Sequence, residues 1–174
     1  MNIKQAITSG YRNSFRIKGR ASRSEYWYFV LFYVVIDVVF QIFSRHTVSP
    51  GRTGSASLVL LLIDMALALV VIASLVPLVA VEVRRVHDSG RSGWWIGATV
   101  IYSLSMDAIF GVEFFRSVKA HDVGPFLGSI MAGDHMGLII GLVGLMALSI
   151  AVFIFTVLPG TSGDNPYGPN PLTR

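Results

Sequence analysis

The sequence predicts an all-α membrane protein: four transmembrane helices as two hairpins, with a short N-terminal interfacial amphipathic helix. Three observations carry this. Hydrophobic residues make up 53% of the 174 residues and charged residues only 14%, against about 25% charged in a typical soluble domain. Four apolar runs reach the length of about 20 residues that a bilayer requires. No run alternates with period two, as the strands of a membrane barrel would. The length suits one integral-membrane domain over residues 1–174. The absence of Cys excludes disulfide frameworks, thiolate metal sites and Cys nucleophiles.

The spans fall at about 25–43, 57–81, 94–115 and 136–158, followed by a Gly/Pro-rich tail at 159–174. The third is the most polar, since Ser103, Ser105 and Asp107 interrupt it. Ahead of the first lies an interfacial segment, 2–18. Within it Ile3, Ile7, Tyr11 and Phe15 recur every four residues, with Lys4, Thr8 and Arg12 away from that stripe. The pattern fits an amphipathic helix on the membrane surface, although Gly10 weakens it. The basic region and the first apolar run are too long for a secretory signal, so that run reads as an anchor. No lipidation motif is present.

The basic residues give the topology. Lys4, Arg12, Arg16, Lys18, Arg20, Arg23, Arg84, Arg85, Arg91 and Arg174 fall on one side, and Arg45, Arg52, Arg116 and Lys119 on the other. The positive-inside rule then puts both termini and the second loop in the cytoplasm. The isoelectric point near 9.7 therefore reads as a topology signal, not as a mark of nucleic-acid binding. Tyr26, Trp27 and Tyr28 open span one and Trp94 and Trp95 open span three, as an interfacial aromatic belt does.

Three stretches on that basic side stand out. They read Gly19-Arg20-Ala21-Ser22-Arg23-Ser24-Glu25-Tyr26-Trp27, then Val83-Arg84-Arg85-Val86-His87-Asp88-Ser89-Gly90-Arg91-Ser92-Gly93-Trp94-Trp95, then Leu158-Pro159-Gly160-Thr161-Ser162-Gly163-Asp164-Asn165-Pro166-Tyr167-Gly168-Pro169. In this order they resemble the bacterial inner-membrane family catalogued as domain of unknown function 805, the YhaH-like proteins. The sequence departs from it around 105–135, where such proteins often have a shorter link. The resemblance implies a multi-pass inner-membrane protein of bacterial type and assigns no activity.

Each motif has a structural and a functional reading. Ser22 and Glu25 have capping-box spacing at the start of span one; Arg20 and Arg23 either contact lipid phosphates or cradle an anion. Pro77 should loosen span two near its end. Arg84, Arg85, His87 and Arg91 form either a structural turn or an anion site, since guanidinium forks suit phosphate. His87 and Asp88 resemble a base with its orienting acid, yet adjacent side chains rarely point together. Asp88, Ser89 or Ser92 can cap the next helix. The tail stops span four at Pro159-Gly160 and is either a flap or a lid over the two basic motifs.

The two hairpins also echo one another. Gly19-Arg20-Ala21-Ser22 and Gly90-Arg91-Ser92 precede aromatic span starts, which hints at a parallel repeat. Asp37, Asp64 and Asp107 reach similar depth in the outer half of the membrane. Asp37 lies roughly 18 Å along the helix from Glu25, and Asp107 roughly 18 Å from Trp95. Charge there is costly, so Asp37 and Asp107 should face the interior, bonded to Ser103, Ser105 or carbonyls, or form an ion or proton relay. His121, Asp122, Asp134 and His135 in the outer loop are of metal-ligating type, but a solvated loop is the expected reading.

The expected function is non-enzymatic, with no catalytic residues, metal or cofactor. A basic cytoplasmic face of a bacterial inner-membrane protein would bind anionic lipid headgroups or a partner: another copy or another inner-membrane protein. The alternatives are a small transporter using the three Asp residues, or a phospholipid-acting enzyme using His87 and Asp88.

Overall fold

The computed structural model describes residues 1–47, 55–119 and 136–172. Among them are five helices: α1 (Ile3–Arg12), α2 (Arg23–Thr47), α3 (Ser55–Asp88), α4 (Trp94–Lys119) and α5 (Met136–Val157). All except α1 are long and apolar enough to cross a membrane. Large apolar side chains such as Leu69, Ile72 and Ile140 stay exposed along them. Apolar exposure of this kind suits a hydrocarbon solvent, in which the helix satisfies its own backbone. The candidate metal ligands His121, Asp122, Asp134 and His135 lie outside the described residues, as do Arg52 and Arg174.

The chain divides into two compact units. The first comprises Met1–Arg91 with Leu158–Arg174. In it α2 and α3 form a hairpin and α1 packs on both. Asn2 begins α1 with a capping box: its Oδ1 accepts from the Gln5 N–H at 2.9 Å, and Gln5 Oε1 accepts from the Asn2 N–H at 3.0 Å. That pairing satisfies two donors which a helix start leaves orphaned.

Gly10 explains how α1 docks. A Cβ there would lie 2.2 Å from Phe29 Cε2, so only a glycine lets the ring come this close. Tyr11 then sits edge-on to Phe29 and Phe32, with ring centroids 5.7 and 6.1 Å away. Its hydroxyl shares a 2.6 Å hydrogen bond with Ser74 Oγ. Ser74 in turn donates to the Val70 carbonyl at 2.7 Å, one turn before the buried Pro77. Ala21, Tyr26, Phe29 and Val81 complete the core beneath. The apolar stripe read from sequence therefore divides. Tyr11 packs on α2 and α3, whereas Phe15 lies beyond the helix end and is 92% exposed.

The second unit, Ser92–Val157, is the α4–α5 hairpin. Small residues on α5 let α4 approach, as in many membrane helix pairs. A Cβ on Gly141 would meet Met106 Sδ at 2.5 Å, and one on Gly144 would meet the Tyr102 hydroxyl at 2.8 Å. Trp95 packs edge-on to Phe155 at 5.3 Å.

Helix α3 runs through Arg84 and Arg85 to Asp88 and stops on Gly90, whose φ is +77°. The Gly90 N–H bonds the His87 carbonyl at 3.0 Å and the Arg91 N–H bonds that of Val86 at 3.2 Å. Those two bonds make a Schellman termination, which needs a left-handed residue at the position Gly90 holds.

Candidate anion-binding site

The last turns of α3 place Arg84, Arg85, His87 and Asp88 in a buried layer. Arg85 and Asp88 are three apart and so share a face; Arg85 Nη1 donates to Asp88 Oδ2. Arg20 reaches the same carboxylate from the loop before α2, its Nε 2.8 Å from Oδ1. The Arg20 and Arg85 side chains are 1% and 0% exposed. One carboxylate thus serves two buried guanidinium groups.

The remaining donors of these arginines hold the tail. Arg20 Nη1 donates to the Gly163 carbonyl at 2.6 Å and to that of Gly168 at 3.4 Å, and Nη2 to that of Thr161 at 2.7 Å. Arg85 Nη2 donates to the Leu158 carbonyl. Tail groups also bond the end of α3: the Thr161 N–H donates to the Asp88 carbonyl at 2.9 Å, and Asn165 Nδ2 to that of His87 at 3.0 Å. Tyr167 stacks on the His87 ring at 4.0 Å with 4° between planes. Gly160 abuts the Asp88 carboxylate; a Cβ there would fall 2.1 Å from Oδ2. The tail is therefore clasped across the first two motifs.

His87 and Asp88 do not form a base–acid pair. His87 Nδ1 lies 3.3 Å from the Gly19 carbonyl oxygen, while the Asp88 carboxylate binds the two arginines. Successive helical residues point about 100° apart, which separates them.

Arg84 turns elsewhere. Its Nη1 donates to Glu25 Oε1 at 2.9 Å, and Ser9 Oγ donates to the same oxygen at 2.8 Å. This modifies the expected capping box: Ser22 Oγ does accept from the Glu25 N–H at 3.2 Å, but the Glu25 carboxylate engages Arg84 and Ser9. A buried guanidinium is the stronger partner for it. Arg84 Nε and Nη2 are buried with no hydrogen-bond partner among the described residues.

Beside this pair opens a cavity of about 920 Å³ within the first unit. Its walls are α1, the loop that follows it, Arg84 and the tail prolines Pro169 and Pro171. Lys4, Arg12, Arg16, Lys18, Arg20 and Arg84 line it, against the single carboxylate of Glu25. Among the described residues, Lys4, Arg12, Arg16 and Lys18 form no ion pair. Low-dielectric walls around one sign of charge concentrate counter-ions.

Of the candidate residues, Arg20, Arg84, Arg85, His87 and Asp88 come together, whereas Arg23 and Arg91 are exposed. Lys4, Arg12, Arg16, Lys18 and Glu25 join the site without having been singled out for it. The available signal was the i, i+4, i+8 series Lys4, Thr8, Arg12 on one face of α1. Asp37 and Asp64 do not line this cavity. Half-buried Asp37 accepts from Gln41 at 2.6 Å, and half-buried Asp64 accepts from Ser44. Asp107 is exposed, not interior-facing as expected. Ser103 and Ser105 donate to the carbonyls of Val100 and Ile101 in their own helix.

A family model described as "Protein of unknown function (DUF805)" matches residues 14–169. Inner membrane protein YhaH of Escherichia coli strain K12 is 23% identical over 160 residues, covering 92% of this chain and 90% of that protein. Inner membrane protein YhaI of the same strain is 25% identical over 167 residues, covering 96% and 95%. No solved structure matches. The chain belongs to the DUF805 family.

Proposed function

We propose that this family member is a non-catalytic inner-membrane protein whose cytoplasmic face binds anionic phospholipid headgroups. The observation that carries the reading is the cavity: six basic side chains and one carboxylate line it. The positive-inside count supports a cytoplasmic position for that face. The relatives named as inner membrane proteins support the location. Cytoplasmic leaflets carry anionic lipid, which attracts each nearby Lys or Arg by about 1 kcal/mol. Lipid is favoured over a protein partner by the loop after α1, where Phe15 and Ile17, 92% and 58% exposed, alternate with Arg16 and Lys18. Apolar side chains between basic ones suit the boundary of headgroup and acyl chain.

The test is native mass spectrometry from mild detergent. The parent protein should retain anionic phospholipid. A variant with Lys4, Arg12, Arg16 and Lys18 changed to Gln should lose it. Equal retention by both, or none by the parent, would refute the reading. The other two readings draw less support. A relay through Asp37, Asp64 and Asp107 would use acids of which two already accept from Gln41 and Ser44. Phospholipid chemistry at His87 and Asp88 would need a carboxylate that here binds two arginines.

A further inference from the structure

We infer that Arg84 is the phosphate receptor of the cavity, taking two oxygens of a multiply charged phosphate ligand side-on through Nε and Nη2. The inference rests on the proposed anion-binding role and names the group that is recognised. Arg84 is 5% exposed, and Nη1 alone has a partner, Glu25. The other two nitrogens are buried without one. Leaving a buried donor unsatisfied is costly, and more so when it is charged. Such a group marks an absent acceptor.

The identity of the two atoms adds to this. Nε and Nη2 lie along one edge of the planar guanidinium, and their N–H bonds run nearly parallel. That edge is a fork for two oxygens of one phosphate or carboxylate group. Arg20, which also lines the cavity, has all three nitrogens engaged by Asp88 and tail carbonyls. Of these two, Arg84 is the one with its fork unused.

Charge selects phosphate over carboxylate. Glu25 already balances Arg84, and the nearby Lys4, Arg12, Arg16 and Lys18 have no ion pair among the described residues. A lone carboxylate would leave most of that charge uncompensated. A phosphate monoester carries about −1.5 to −2 at neutral pH, and a ligand with two phosphates carries more. The volume of about 920 Å³ is near the top of the usual range for ligand sites, roughly 300–1,000 Å³, so more than one phosphate fits. The group can belong to a lipid headgroup such as cardiolipin or to a soluble diphosphate.

The experiment measures ligand preference in the full-length protein in nanodiscs. Retention of cardiolipin is compared with that of oleate, an anionic lipid without phosphate, and pyrophosphate is offered in solution. The variants are Arg84→Lys, which keeps the charge but not the fork, and Glu25→Gln/Arg84→Gln, which leaves no buried unpaired carboxylate. The parent should prefer a phosphate ligand by at least about tenfold, the size of one hydrogen bond to a charged group. Both variants should bring the preference to within about twofold while anionic lipid as a class is still retained. Preference for cardiolipin assigns a headgroup, and preference for pyrophosphate a soluble ligand. No preference in the parent, or an unchanged one in Arg84→Lys, overturns the inference and leaves general anionic-lipid binding standing. Loss of all anionic retention only when the α1 and loop cations are removed speaks to that general reading instead.

Discussion

Replacing Asp88 by Asn removes the carboxylate that Arg20 and Arg85 share. The three side chains are between 0% and 6% exposed, so water cannot replace the lost charge without opening the layer. Deleting one partner of a buried ion pair costs about 3–5 kcal/mol, because the other charge is left uncompensated. Asn keeps one acceptor oxygen, which places the expected cost at about 3 kcal/mol. At about 1.4 kcal/mol per tenfold, the clasped tail loses about a hundredfold in population relative to the open form. Because the chain has no Cys, Ser162→Cys gives a unique spin-label position in the tail. The label should show a mobile component in Asp88→Asn that is absent from the parent. Arg23→Gln, at an exposed guanidinium, serves as the control and should change nothing. Identical spectra for Asp88→Asn and the parent would refute the claim that this carboxylate holds the tail.

Gly160→Ala should act like Asp88→Asn in the same assay, since its Cβ would lie 2.1 Å from Asp88 Oδ2. Tyr167→Leu should mobilise the label less, by the roughly 0.5–1.5 kcal/mol of a lost ring stack on His87. Gly10→Ala should release α1 at a cost of about 1–3 kcal/mol, the usual range for overpacking. Its Cβ would lie 2.2 Å from the wholly buried Phe29 ring, and faster amide exchange across 3–12 would report the release. Gly141→Ala should lower the thermal midpoint of the protein only slightly: its Cβ would crowd Met106, but that flexible side chain can move aside and keep the helices close.

The four long helices were legible because a bilayer imposes a length that a linear scan detects. α1 was legible as a helix but not as a docked one. Gly10 reads in sequence as a helix-weakening residue, and only the position of Phe29 shows why a Cβ has no room. The site was legible as three motifs sharing one face. Which arginine meets which acid was not, because partners separated by 59 residues for Arg84–Glu25 and 68 for Arg20–Asp88 leave no local pattern. In sequence Asp88 reads as a helix cap or as the companion of His87. It is instead the shared counter-charge that joins all three motifs.

Arg84 and Arg85 are neighbours with different tasks, and the pitch of α3 is the reason. A rotation of about 100° between successive residues sends Arg85 to Asp88 and the tail, and Arg84 to Glu25 and the cavity. The guanidinium groups of Arg20 and Arg85 are consumed in closing the structure, so no ligand can engage them fully without opening the tail. The anion binding proposed above would then fall to Arg84 and to the cations that α1 and its following loop contribute. Pro169 and Pro171 line the same cavity, so the proposed binding would be coupled to the clasp. A ligand that touches those prolines only when the tail is closed must favour the closed tail by its own binding free energy. The clasp, reciprocally, must strengthen binding by the same factor.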